Sequence, residues 1–155
     1  MNMRGRQKVR GKGKKYSDKQ AWDLYSYMAA DITSGLRQFR KENVNSFPGR
    51  EPMSTLEKWN AAVDEMIWTF DQINKDYPSS PRSLHWNAWH KEHPEALELR
   101  NMFKEVVDEN GVKMFEYNNS GYSMPAEVEE QEKGYRDRID SGLHLFADFF
   151  LDLWD

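Results

Sequence analysis

The stretch STLEKWNAAVDEMIWTFDQINKDYP (54–78) decides the fold. Leu56, Trp59, Val63, Met66, Phe70, Ile73 and Tyr77 follow one another at alternating steps of three and four. A helix turns once every 3.6 residues, so this spacing puts all seven on one face and predicts an amphipathic helix with one buried stripe. Ser54 and Glu57 have capping-box spacing at its start. Pro78 stops it, because proline lacks an N–H and restricts the residue before it.

The segments on either side carry related patterns. Upstream, Ser17 and Gln20 form a second capping-box pair, and Trp22, Tyr25, Ala29, Ile32, Leu36 and Phe39 repeat the three-four spacing. That predicts a helix of about five turns ending near Asn43, followed by a turn at Phe47-Pro48-Gly49. Downstream, residues 78–83 read as a Pro/Ser loop, and Leu84 to His93 as a short helix holding Trp86 and Trp89. Pro94 opens or kinks the next segment, in which Ala96, Leu99, Phe103 and Val106 have helical spacing up to Asn110-Gly111. That pair admits two readings. Gly111 can sit past a helix C-terminus, or Val106–Glu109 and Val112–Phe115 can pair as a hairpin. The helix ending is favoured, with 112–117 extended or irregular. Residues 118–125 are a loop. A last helix begins near Pro125 and runs almost to Asp155, with Tyr135, Ile139, Leu143, Phe146, Phe150 and Leu153 as its buried stripe.

The charge is unevenly spread. Arg4, Arg6, Lys8, Arg10, Lys12, Lys14 and Lys15 fall within residues 1–15, which contain no acid. Of the 22 Lys and Arg in the chain, 15 remain to face 26 Asp and Glu in the rest. Like charges repel, the glycines resist ordering and little is available to bury, so residues 1–15 are expected to form a flexible arm. The body is different. Its 6 Trp, 8 Phe and 7 Tyr are each able to bury a large area, which allows a core despite 31% charged residues. The absence of cysteine excludes disulfides, thiolate metal sites and cysteine nucleophiles, and suits a reducing compartment. No apolar run approaches the roughly 18 residues of a membrane span, and no apolar stretch follows the basic start as a secretory signal would require. The expected location is cytoplasmic.

Two boxes, EKWNAAVDEMIWTFDQI (57–73) and YRDRIDSGLHLFADFFLDLWD (135–155), carry a resemblance. The matching residues are Trp59, Met66, Ile67, Trp68 and Phe70, then Gly142, Leu143, Leu145, Phe146, Phe149, Phe150, Leu153 and Trp154. The chain resembles uncharacterised small tailed-bacteriophage proteins with a MIWTF-type helix and a C-terminal GLxLFxxFFxxLW helix. The resemblance implies a phage origin and a two-helix core. It implies no mechanism and no catalytic residues.

Three constellations bear on chemistry. Asp140, His144 and Asp148 are four apart, with Asp152 beyond, while Glu57, Asp64 and Asp71 recur every seven residues on the helix of 54–78. Facing rows of this kind can hold a divalent metal between helices. Both rows lie off the apolar stripes, however, so a solvated acidic face is the simpler reading. His85, His90 and His93 sit beside Trp86 and Trp89, where zinc would need Glu92 or water to complete its set. An aromatic patch that carries histidines, with Trp86, Trp89 and His90 as a protein interface, fits the composition better. The glycines of the arm lack the strand and helix of a phosphate loop. Glu95 and Glu98, with Glu105 and Asp108, have only a loose likeness to a helical pyrophosphatase site. The seven cations of the arm suit phosphate contacts, which are sequence-independent and weaken with salt.

The expected fold is all-α: a helical bundle of three long helices plus a shorter helical insert in one domain, 16–155, behind the flexible basic N-terminal arm, 1–15. The expected function is that of a phage accessory protein acting by binding, in the host cytoplasm. The helical body would meet a protein partner and the arm a nucleic acid or another polyanion. No cofactor and no membrane are expected, and the oligomeric state is open. The alternatives are a metal-dependent hydrolase using Asp140, His144 and Asp148 with Asp64 or Asp71, and a virion or assembly component.

Overall fold

Seven residues of the 54–78 segment were expected on one helical face, and five of them are buried. A computed structural model describes residues 17–118 and 121–153. Those residues are mostly helical with one small two-stranded sheet. In chain order they form α1 (Asp18–Ala21), α2 (Leu24–Glu42), α3 (Leu56–Asn74), α4 (Pro81–Glu92), a 3-10 turn (Pro94–Leu97), α5 (Leu99–Met102), β1 (Phe103–Val107), β2 (Lys113–Tyr117), α6 (Ala126–Phe149) and a closing 3-10 turn (Phe150–Asp152).

Trp59, Val63, Met66, Phe70 and Ile73 of α3 are buried, and Ala62, Thr69 and Gln72 widen the buried face because two helices pack on α3. Trp59 is fully enclosed, with the Phe39 ring of α2 at 6.3 Å and the Phe149 ring of α6 at 5.8 Å. The cap lies one residue later than the sequence suggests. Thr55, not Ser54, accepts from the Lys58 N–H. The helix also stops before Tyr77. The Tyr77 N–H donates to the Gln72 carbonyl and the Asp76 N–H to that of Ile73, the pair of bonds that makes a Schellman ending. Asp76 and Tyr77 sit in the left-handed region, at φ 57° and 56°.

On α2 the expected stripe is only partly buried. The capping box of Ser17 and Gln20 forms, yet the helix breaks at Trp22-Asp23 and restarts at Leu24. The break takes Trp22 off the register and leaves it 91% exposed, and Tyr25 is exposed as well. Burial begins at Ala29 and continues through Thr33 and Leu36 to the C-cap Asn43.

The stripe of α6 is rotated from the expected one. Ile139, Gly142 and Phe149 are buried, Tyr135, Leu145 and Phe146 are half-buried, and Leu143 and Phe150 are exposed. The cause is a close approach. A Cβ placed on Gly142 would lie 1.9 Å from Thr69 Oγ1, so α6 meets α3 backbone-first at this glycine.

The favoured helix ending at Asn110-Gly111 is not what forms. Phe103–Val107 pairs antiparallel with Lys113–Tyr117, so the fold is not purely α-helical. Val106-Val107 prefers the extended state. Asp108 turns the chain by accepting from the N–H groups of Asn110 and Val112, and Gly111 supplies φ 80°. Lys104–Glu116 and Lys113–Glu105 are cross-strand ion pairs.

Candidate functional site

α4 begins with a firm signal. Ser80 accepts from the Ser83 N–H as N-cap, and Pro81 opens the first turn, where its missing N–H costs nothing. That first turn is tied down from below. The Glu132 carboxylate of α6 is buried, and its Oε2 accepts from Ser80 Oγ at 2.6 Å and from the Arg82 N–H at 3.1 Å. Its Oε1 accepts from Arg136 Nε at 2.7 Å. Burial by itself raises the Glu132 pKa. The hydrogen bonds from Ser80, Arg136 and the Arg82 N–H, with the charge of Arg136, outweigh it and leave the value below the ordinary one. Alongside, Gln72 Oε1 accepts from Tyr135 OH and from the Ser79 N–H. The phenol of Tyr135 is raised, mainly by burial. Sequence reading missed Glu132, Gln72 and Ser80. The Ser80-Pro81 pair was the signal for the cap, but nothing local marks its buried partner 52 residues away.

Above this floor, the aromatic residues of α4 close on Tyr122. The Tyr122 ring stands edge-on to Trp86 at 4.7 Å and to Trp89 at 5.4 Å, and its hydroxyl lies 3.0 Å from His85 Nδ1. His90 packs on Trp86 at 3.9 Å, and His93 stacks on Trp89 at 4.2 Å. The Nδ1 atoms of both histidines meet carbonyls four residues back, Trp86 O at 3.0 Å and Trp89 O at 2.9 Å. A carbonyl can only accept, so each Nδ1 carries the proton. Of the three residues expected at a protein interface, Trp86 and Trp89 are half-buried and His90 is buried.

Beside the cluster lies a cleft of about 570 Å³ between the end of α3, α4 and the Tyr122 segment. Tyr77, Trp86 and Tyr122 supply aromatic walls, and Asp76, Arg82 and Asn87 supply polar groups. Asp76, Arg82 and Asn87 are exposed. Such an arrangement can hold a planar ring and address its edge with an amide and its charged substituents with a guanidinium.

The expected metal ligands do not meet. Asp64 pairs with Arg40 at 2.9 Å, and Asp71 with Arg37 at 2.9 Å and Lys75 at 2.7 Å, so both α3 acids serve cations, two of them on α2. Hydrogen bonding from Lys75 is the main cause of the lowered pKa of Asp71. Asp140 and His144 are each 72% exposed on α6. The His144 Nδ1–H donates to the Asp140 carbonyl, and with the Asp140 and Asp148 charges this raises its pKa. Among the described residues no three His, Asp or Glu side chains converge. The seven cations of the arm, Arg4 to Lys15, lie outside the described residues.

No family model, curated protein or solved structure matches the chain. No helix among the described residues is long and apolar enough to cross a membrane.

Proposed function

We propose that this protein works by binding, with its basic arm on a nucleic-acid strand or similar polyanion and its helical body on a protein partner. The observation that carries the reading is the charge division, seven cations and no acid in residues 1–15 ahead of a body in which acids outnumber bases 26 to 15. An arm of that kind releases counterions from phosphates, while the acidic body on the whole repels them, so the arm makes most of the phosphate contacts. α2, α3 and α6 act as a three-helix bundle that carries the binding surfaces, and the α4 face bearing Trp86 and Trp89 is the protein-binding side. The described residues of the two boxes that suggest a phage accessory protein fall on α3 and on α6 with the 3-10 turn and Leu153 that follow it, and α3 and α6 pack on each other. That packing supports treating them as one unit, and the host cytoplasm is the setting that follows. Reversing the seven charges is the test. Retention of nucleic acid should weaken steeply with salt in the parent and vanish in the variant, with thermal stability unchanged. Equal binding by the two proteins would refute the reading.

A second reading, an assembly component, draws on the hairpin. Both of its strands are edges, and Val107 and Phe115 are 60% and 72% exposed. A lone two-stranded ribbon is marginal in water, and a second copy of the chain can extend it. Light scattering decides this, since the second reading requires a dimer or larger and a monomer ends it.

A further inference from the structure

The cleft beside Trp86 has more chemistry in it than a protein contact requires. We infer that it takes one unpaired base of a single nucleic-acid strand whose phosphates the basic arm holds. The inference rests on the arm reading above and adds the site, the strand type and the residues.

Four observations carry it. The volume, about 570 Å³, falls in the range of roughly 300–1,000 Å³ found for small-ligand sites. Three of the walls are aromatic, Tyr77, Trp86 and Tyr122. Every base has a π-face, so stacking on such walls tolerates any sequence. The Asn87 amide offers a donor and an acceptor side by side, which matches the edge of an unpaired base. Arg82 is exposed at the cleft, and a guanidinium fits a phosphate in two-pronged fashion.

Asp76 sets the orientation. Its carboxylate repels phosphate and accepts from amino or hydroxyl groups, so the strand runs with its phosphate toward Arg82 and its base or sugar toward Asp76. From Ser17 an extended arm of this length reaches roughly 50 Å, at about 3.3–3.6 Å per residue. Base pairing would keep the edge and both faces of a base out of the cleft, so a duplex is excluded from it.

The test compares a labelled single strand, an abasic strand of the same length and a duplex, each titrated with the full chain by fluorescence anisotropy. The base-bearing strand should bind about 10-fold tighter than the abasic one, given a stacking contribution of that order. Trp86→Ala and Asn87→Ala should each shrink that ratio toward one, and Trp86→Phe should keep most of it. Asn87 lies exposed on α4, so its variant answers the question even if Trp86→Ala fails to fold. Reversing the arm should weaken both strands in the same proportion. Equal binding of base-bearing and abasic strands, still lost on reversing the arm, overturns the cleft assignment and leaves the arm reading standing. Preference for the duplex, or capture of a peptide in the cleft with no effect of Asn87→Ala on the strand ratio, also overturns it. Failure of both strands to bind at low salt overturns both readings.

Discussion

Trp59 and Trp86 are both tryptophans set among other rings, but their surroundings differ. Trp59 is fully buried between Phe39 and Phe149, on the helix that α2 and α6 share. Trp86 is half-buried among His90 and Tyr122, residues with polar ends, beside an open cleft. Purely apolar partners closed in from two helices make a core. Amphipathic partners closed in from a helix and a loop make a surface that can still accept something. The α3-centred region accordingly holds the molecule together, and the α4 face stays partly open to water.

The largest expected effect is on the core side of that comparison. Trp59→Ala should cost about 4 kcal/mol in denaturant unfolding, the usual scale for emptying a large aromatic site. Trp86→Ala should cost less than half as much, since its site is already open to water. Equal losses would erase the distinction between the two regions. Next is the crossing of α3 and α6. Gly142→Ala drives a methyl into Thr69 and should cost about 2 kcal/mol, after allowing for the better helix propensity of alanine. Adding Thr69→Ala removes the hydroxyl 1.9 Å from that methyl. It should recover part of the loss, which a double-mutant cycle reads as coupling.

A smaller effect is expected where the two regions join. Glu132→Gln should cost roughly 1–3 kcal/mol at neutral pH, the range for hydrogen bonds to a buried charged group. The pKa of Glu132 is depressed in the folded protein, so its contribution is complete above the unfolded value of about 4.3 and is lost as pH falls through the folded one. Parent and variant should therefore converge in stability as acid is added, which urea titrations across that range will show. The smallest effect belongs to the hairpin. Phe115→Ser should change stability by less than about 0.5 kcal/mol, as exposed substitutions do. A loss comparable to that of Trp59→Ala would mean that the hairpin is part of the core.

The α3 stripe was legible because spacing alone specifies it. Its cap was displaced by one residue because Ser54 and Thr55 are both capping types and spacing to Glu57 favoured the wrong one. The α6 register was misread because Gly142 looks like a gap in an apolar pattern, whereas it is the point of closest approach. The hairpin, one of the two readings open at Asn110-Gly111, was ranked second because Ala96, Leu99, Phe103 and Val106 fit a helix by period, and the extended preference of Val106-Val107 is a weaker signal than periodicity. At the candidate site, the cluster of His and Trp on α4 was visible in the sequence. The cleft beside it was not, because Asp76, Tyr77 and Tyr122 reach it from elements separated along the chain. Glu57, Asp64 and Asp71 suggested a ligand row. For the latter two, the signal that mattered was the pair Arg37 and Arg40 on α2.

Native-state hydrogen exchange, resolved by residue, tests the division between the α3 core and the α4 face most directly. Amides from Ala62 to Phe70 in α3 should exchange only by global unfolding, with an opening free energy equal to that from denaturant. Amides in the second half of α4 should open at clearly lower free energy, independently of α3. If the α4 amides are as protected as those of α3, or α3 opens first, the division is contradicted.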